Sequence, residues 1–127
     1  MARLLIIEDD KLIRWSLREI LSKEGYIVDT AKEVGTAVKS AQENQYEVIF
    51  IDLETDDSNP VDTIKRLRQL QPDSALIVLS AMNNQDINQI TQGESIFEVI
   101  DKPFQADTVR RVVKESLEGK NTQGKKE

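Results

Sequence analysis

The chain has 127 residues, the size of one domain with its own core. It holds no cysteine and no histidine, which excludes disulfides, zinc–thiolate and imidazole metal sites, and every nucleophile–histidine pair. A net charge of −6 has the wrong sign for gripping a nucleic-acid backbone, no apolar run approaches the ~20 residues of a membrane span, and no leader is read ahead of the first strand.

Short apolar runs alternate with amphipathic segments. Leu4–Ile7 reads as a buried strand, rich in the branched residues that parallel strands use. Leu12, Ile13, Leu17, Ile20 and Leu21 recur at helical spacing, giving a helix over about 10–23 that Asp10 caps and Gly25 stops. Tyr26–Val28 is the least apolar strand, with Asp29 and Thr30 following it. Ala37, Val38 and Ala41 mark a weaker helix near 33–43, and Val48–Ile51 a third strand. Asn59 before Pro60 reads as an N-cap and first helical position, opening a helix with Ile64, Leu67 and Leu70 that Pro72 closes. Leu76–Leu79 is a fourth strand. A short polar helix with Ile87 and Ile90 follows, then a strand over Ile96–Ile100. Ala106, Val109, Val112, Val113 and Leu117 form a last helix ending near Gly119, after which 119–127 reads as a flexible tail or linker stub. Five βα units predict an α/β fold: a parallel sheet with helices on both faces and right-handed crossovers.

In such a sheet ligands sit beyond the carboxyl ends of the strands. Those ends carry Glu8, Asp9 and Asp10, then Asp52, then Ser80 and Ala81, then Asp101, Lys102 and Pro103. Two like charges about 4 Å apart repel by roughly 4 kcal/mol at an effective dielectric of 20, so clustered acids call for a cation. Mg²⁺ suits them, because it takes hard oxygen ligands and bridges carboxylates to phosphates. Lys102 adds a positive charge for phosphoryl oxygens, Ser80 a hydroxyl donor, and a carboxylate can itself accept a phosphoryl group. Asp10 is read as a helix cap outside this group. Asp56 and Asp57 read as a solvated loop, Trp15 as partly exposed packing, and Arg110 and Arg111 as a solvated face.

The runs Leu5-Ile6-Ile7-Glu8-Asp9-Asp10, Ile49-Phe50-Ile51-Asp52-Leu53, Val78-Leu79-Ser80-Ala81 and Asp101-Lys102-Pro103-Phe104 resemble a response-regulator receiver domain of two-component signalling. The resemblance spans residues 3 to about 118, a receiver over 1–118. Its first helix is also reminiscent of receivers fused to AAA+ transcriptional activators. It implies a five-stranded flavodoxin-like sheet of order 2-1-3-4-5. It implies that Asp52 is the phosphoacceptor and that Glu8, Asp9, Asp52 and the Glu54 backbone carbonyl hold Mg²⁺. Ser80 would be the switch hydroxyl, the Ala81 amide and Lys102 phosphoryl contacts, and Lys102–Pro103 a cis bond. The implied donor is a phosphohistidine on a sensor histidine kinase. The implied setting is cytoplasmic, with no direct nucleic-acid or membrane contact. A homodimer would form through the fourth helix, fifth strand and fifth helix. The domain would assist its own phosphotransfer and slow dephosphorylation without being a free-standing enzyme.

Three departures stand out. The run after Asp52 is Leu53-Glu54-Thr55-Asp56-Asp57, where the family usually has a methionine and a proline. Pro60 replaces a glycine, and Val99 stands where the family has an aromatic switch residue. Phe97, the nearest aromatic, would share the Val99 face of an alternating strand. An altered readout of phosphorylation is therefore expected. Two alternatives remain open: a pseudo-receiver that binds partners without phosphorylation, and a Mg²⁺-dependent phosphatase of the haloacid-dehalogenase type. Asp52-Leu53-Glu54-Thr55 is faintly similar to the nucleophile loop of the latter but lacks its second aspartate. A flavodoxin-type redox role finds no phosphate loop after the first strand.

Overall fold

The computed structural model describes residues 1–54, 59–81 and 84–126. Its strands are β1 (Arg3–Ile7), β2 (Ile27–Ala31), β3 (Val48–Asp52), β4 (Ala75–Ser80) and β5 (Glu98–Asp101). Between and after them run α1 (Lys11–Lys23), α2 (Val34–Glu43), α3 (Pro60–Leu70), α4 (Asn84–Thr91) and α5 (Ala106–Lys126). All strand pairs are parallel and the order is β2-β1-β3-β4-β5, as the resemblance implies.

The two-residue period of each buried strand feeds both faces of the sheet. Leu4, Ile6, Val48, Phe50, Ile77 and Leu79 pack with Leu17 and Leu21 of α1 and Val109, Val112 and Val113 of α5. Leu5, Ile7, Ile49, Ile51, Leu76 and Val78 pack with Ala37 and Ala41 of α2 and Ile64 and Leu67 of α3. Phe50 is fully buried in the central strand. Phe50→Ala should therefore cost about 3–5 kcal/mol in urea denaturation, through lost transfer energy and the cavity left behind.

Helix starts follow local chemistry. Asp10 caps α1 by accepting from the amides of Leu12 and Ile13 at 2.9 and 3.0 Å. Asn59 does the same for α3, with Pro60 at its first position. Gly25 takes φ +92° just past α1, where a side chain would be strained.

Several elements differ from the sequence reading. β2 runs on to Ala31, so Asp29 and Thr30 lie inside it. The edge strand tolerates Asp29 because Arg3 pairs with its carboxylate at 2.9 Å and Tyr46 Oη donates to it at 2.6 Å. β5 begins at Glu98, with Ile96 and Phe97 leading into it. Phe97 does not share the Val99 face. Val99 pairs with Val78 and packs against the core cluster on the α2–α3 side, whereas the Phe97 ring lies beside α5, 3.4 Å from where a Cβ on Gly119 would stand. The Phe97 amide already donates to the Leu76 carbonyl at 2.8 Å, but the regular register with β4 starts at Glu98, so Phe97 precedes the alternation that sets Val99. Leu12 belongs to the apolar spacing of α1 yet is 71% exposed, because at 3.6 residues per turn it lies about 140° around the helix from Leu17 and about 180° from Leu21, the buried pair. Helix α5 does not end near Gly119 but runs to Lys126. Gly119 and Gly124 each cost the helix only about 1 kcal/mol, and α5 contains no proline. Arg110 pairs with Asp107 and Arg111 with Glu115, within α5 itself. No helix among the described residues is long and apolar enough to cross a membrane.

Candidate functional site

Four strand ends meet at one edge of the sheet. Asp52 is the last residue of β3 and lies opposite Leu79, while Ser80 ends β4 opposite Asp101 of β5. Glu8 follows β1 directly. The order β1-β3-β4-β5 thus brings Glu8, Asp52, Ser80 and Lys102 side by side although they span most of the chain.

Glu8 and Asp52 are buried, at 0% and 4% exposure, and Asp9 is half-buried. Carboxylate oxygens of Glu8, Asp9 and Asp52 lie within 4.8 Å of one another. Lys102 Nζ stands 3.0 Å from Asp52 Oδ1 and 3.1 Å from Glu8 Oε1. The backbone holds the acids in place. The Glu54 amide donates to Asp52 Oδ1 at 3.0 Å, and the Asp10 amide donates to Glu8 Oε2 at 3.1 Å. Arg14 Nη1 donates to the carbonyls of Glu8 and Asp9 at 2.8 and 3.4 Å. The Lys102 amide donates to the Ser80 carbonyl at 2.9 Å, and the Lys102–Pro103 peptide bond is cis.

Crowding resolves itself through protons. Burial first, then the hydrogen bond and charge of Asp52, push the Glu8 carboxyl up to about 7. Burial alone would raise Asp52 too, but hydrogen bonds from Glu8, the Glu54 amide and Lys102 hold it below the usual carboxylate range. Burial opposes the charge on Lys102, yet Asp52 and Glu8 together raise its pKa. Near neutrality the Glu8–Asp52–Lys102 trio therefore tends toward one carboxyl, one carboxylate and one ammonium.

Glu8 Oε1 is buried and ion-paired with Lys102 Nζ at 3.1 Å, but it accepts no aligned hydrogen bond. A buried carboxyl oxygen without an aligned hydrogen bond, beside the carboxylate oxygens of Asp9 and Asp52, fits a divalent cation such as Mg²⁺.

Sequence reasoning used only the backbone carbonyl of Glu54 and missed its side chain. Ser80 Oγ donates to Glu54 Oε2 at 2.9 Å. The Ala81 amide donates to Glu54 Oε1 and Oε2 at 3.1 and 3.3 Å, and Lys102 Nζ lies 3.8 Å from Oε1. Only the position of Glu54, two residues past an acid at a strand end, could have signalled this reach. Arg14 was also missed; its lone hint is a cation one helical turn after the acidic run. Asp10 caps α1 and Asp101 is exposed, so neither joins the cluster. Val99 is half-buried against the α2–α3 side of the core. Asp56 and Asp57 lie outside the described residues.

A family model described as response regulator receiver domain matches residues 4–114. The chain is 30% identical to the chemotaxis protein CheY of Bacillus subtilis (strain 168) over 118 residues, covering 91% of this chain and 97% of that one. It is also 30% identical over 116 residues to the DNA-binding transcriptional regulator NtrC of Azospirillum brasilense, covering 91% of this chain but only 24% of that much longer protein. The crystal structure of a CheY-like response regulator receiver domain protein from Methanospirillum hungatei JF-1 superposes with a TM-score of 0.91 at 21% identity, over 97% of this chain and 98% of that one.

Proposed function

Because this chain belongs to the response regulator receiver domain family, a family of two-component signalling domains, we propose that Asp52 is its phosphoacceptor. The observation that carries the reading is Asp52 itself. It is a buried carboxylate at a strand end, held ionised by Glu8, the Glu54 amide and Lys102 at 3.0 Å, and flanked by Glu8 and Asp9 oxygens.

The donor in this reading is a phosphohistidine on a sensor histidine kinase. An Asp52 oxygen attacks the phosphorus as the P–N bond breaks. The electron pair returns to the imidazole, which takes up a proton. Receiver domains bind Mg²⁺ at an acidic pocket, and here Glu8, Asp9, Asp52 and the Glu54 carbonyl would hold it. Bound there, the cation supplies charge neutralisation for the approach of two anions. Lys102, the Ser80 hydroxyl and the Ala81 amide receive the phosphoryl oxygens. The work is positioning and electrostatic stabilisation, with nothing covalent beyond the acyl phosphate. Slow hydrolysis of that acyl phosphate returns the domain to its resting state.

The charged state then biases an equilibrium that a partner or a second copy reads, at the surface of α4, β5 and α5. That readout differs from the family pattern, because Val99 has no ring to turn inward when Ser80 moves. A cytoplasmic setting follows from a kinase donor.

The test is intact-mass analysis after incubation with Mg²⁺ and acetyl phosphate. One phosphoryl group should appear on the wild type and none on Asp52→Asn. Ser80→Ala should keep the adduct and blunt the accompanying chemical-shift changes. A wild type without adduct would sink the proposal and favour a pseudo-receiver.

A further inference from the structure

The three donors assigned to the phosphoryl oxygens already hold an anion, and that anion is part of the chain. Ser80 Oγ, the Ala81 amide and Lys102 Nζ all converge on the two carboxylate oxygens of Glu54, at 2.9, 3.1 and 3.8 Å for the nearest contacts. We propose that the Glu54 carboxylate is a tethered plug in the phosphoryl cradle, one that competes with a phosphoryl group for the same donors and must swing out before Asp52 can be phosphorylated. The proposal rests on Asp52 being the phosphoacceptor and adds a control on access to it.

The geometry favours a plug over a fixed structural anchor. A structural carboxylate would be enclosed, as Glu8 and Asp52 are, but the Glu54 side chain is one-third exposed and has a free path to solvent. Glu54 also stays out of the acidic cluster. Its carboxylate turns to Ser80 and Ala81, while the oxygens of Glu8, Asp9 and Asp52 gather within 4.8 Å of one another, with Lys102 Nζ closer to Glu8 and Asp52 than to Glu54.

Physical chemistry makes the two anions exclusive. A phosphoryl group on Asp52 carries close to two negative charges and needs hydroxyl, amide and ammonium donors for its oxygens. Those donors cannot serve both anions, and the anions would repel each other at contact distance. The carboxylate is singly charged, so a phosphoryl group is the stronger ligand of the same cradle. The plug nevertheless has an advantage of proximity, because its tether two residues from Asp52 gives it a high effective concentration at the donors.

Two consequences follow. Small phosphodonors and phosphoryl analogues should bind this chain more weakly than the bare donor set allows, in proportion to the fraction of time the cradle is open. Ser80 and Ala81 should also sit in an anion-bound arrangement before phosphorylation, so that loading Asp52 changes their surroundings less than it would in an empty cradle.

The test compares wild type with Glu54→Ala, Glu54→Gln and Glu54→Asp in the full chain. The aspartate variant keeps the charge but is one methylene too short to reach Ser80. Three quantities are read with Mg²⁺ present: the affinity for fluoroberyllate by calorimetry, the rate of acyl-phosphate formation from acetyl phosphate by intact mass, and the Ala81 amide resonance before and after fluoroberyllate. If the cradle is open about one-tenth of the time, Glu54→Ala and Glu54→Asp should bind fluoroberyllate and form adduct about tenfold better than wild type. Glu54→Gln should fall between. The Ala81 amide should move further on fluoroberyllate addition in Glu54→Ala than in wild type. Equal affinities, rates and amide shifts in wild type and Glu54→Ala would overturn the plug while leaving the phosphoacceptor intact. A Glu54→Asp variant that behaves as wild type would also overturn it, since local charge alone would then explain the effect. Absence of adduct on every variant would overturn the phosphoacceptor reading itself.

Discussion

Lys102→Met is expected to slow phosphorylation of Asp52 by about 10²–10³-fold and to destabilise the folded chain at pH 8 by about 3 kcal/mol. The first effect follows from removing a preorganised cation from the oxygens on which charge moves. The second follows from stranding its partners. Lys102 lies within 3.1 Å of both Glu8 and Asp52, and both acids are buried. Without the ammonium, Glu8 has a second reason to keep its proton, already held up to about 7. At pH 6 that proton limits the damage. At pH 8 it must leave or be retained at a cost, so the deficit of the variant grows as pH rises. Urea denaturation at both pH values, with and without millimolar Mg²⁺, measures this. Mg²⁺ should narrow the gap by replacing the lost positive charge. A deficit independent of both pH and Mg²⁺ would show that Lys102 acts through packing alone.

Glu8 itself should make the metal-free protein less stable as pH rises from about 5 to 7. The sign follows from proton counting. An unfolded glutamate releases its proton near 4.5, while the folded one keeps it to about 7. Between those values the folded state binds more protons, so stability falls with increasing pH. The full shift corresponds to up to about 3 kcal/mol. Asp52 works the other way and in a different window. Its lowered pKa gives stability that is present above the usual carboxylate range and is lost only as pH falls through its folded value. Glu8→Gln removes the titration, so its stability should change less between pH 5 and 8 and should exceed that of the wild type at pH 8. Mg²⁺ should reverse the ranking at pH 8, because the wild type gains a ligand set that the glutamine variant has weakened. Parallel pH profiles for the two proteins without metal would contradict this account.

The fold was legible in the sequence because its signals are local and repeated. Ile- and Val-rich runs alternate with helical stripes five times, and caps such as Asp10 and Asn59 need only their own next turn to act. Where the reading slipped, the deciding contact came from elsewhere in the chain. Asp29 stays in β2 because Arg3 and Tyr46 receive it. Leu12 is exposed because the face of α1 that meets the sheet is the one carrying Leu17 and Leu21, on the far side of the helix. Phe97 turns to Gly119, a neighbour 22 positions away in sequence.

The site divides the same way. Glu8, Asp9, Asp52, Ser80 and Lys102 could be collected from the sequence, because the carboxyl ends of parallel strands share one edge whatever the side chains do. Residue types at those ends are thus determined by the sequence alone, together with the crowding of negative charge that positive charge or protons must offset. Only the tertiary structure decides which acid keeps its proton, since that depends on burial and on angstrom-scale distances to Lys102. It alone also decides that Glu54 turns its carboxylate onto Ser80 and Ala81, because a flexible side chain chooses among donors that only the folded sheet edge brings within reach.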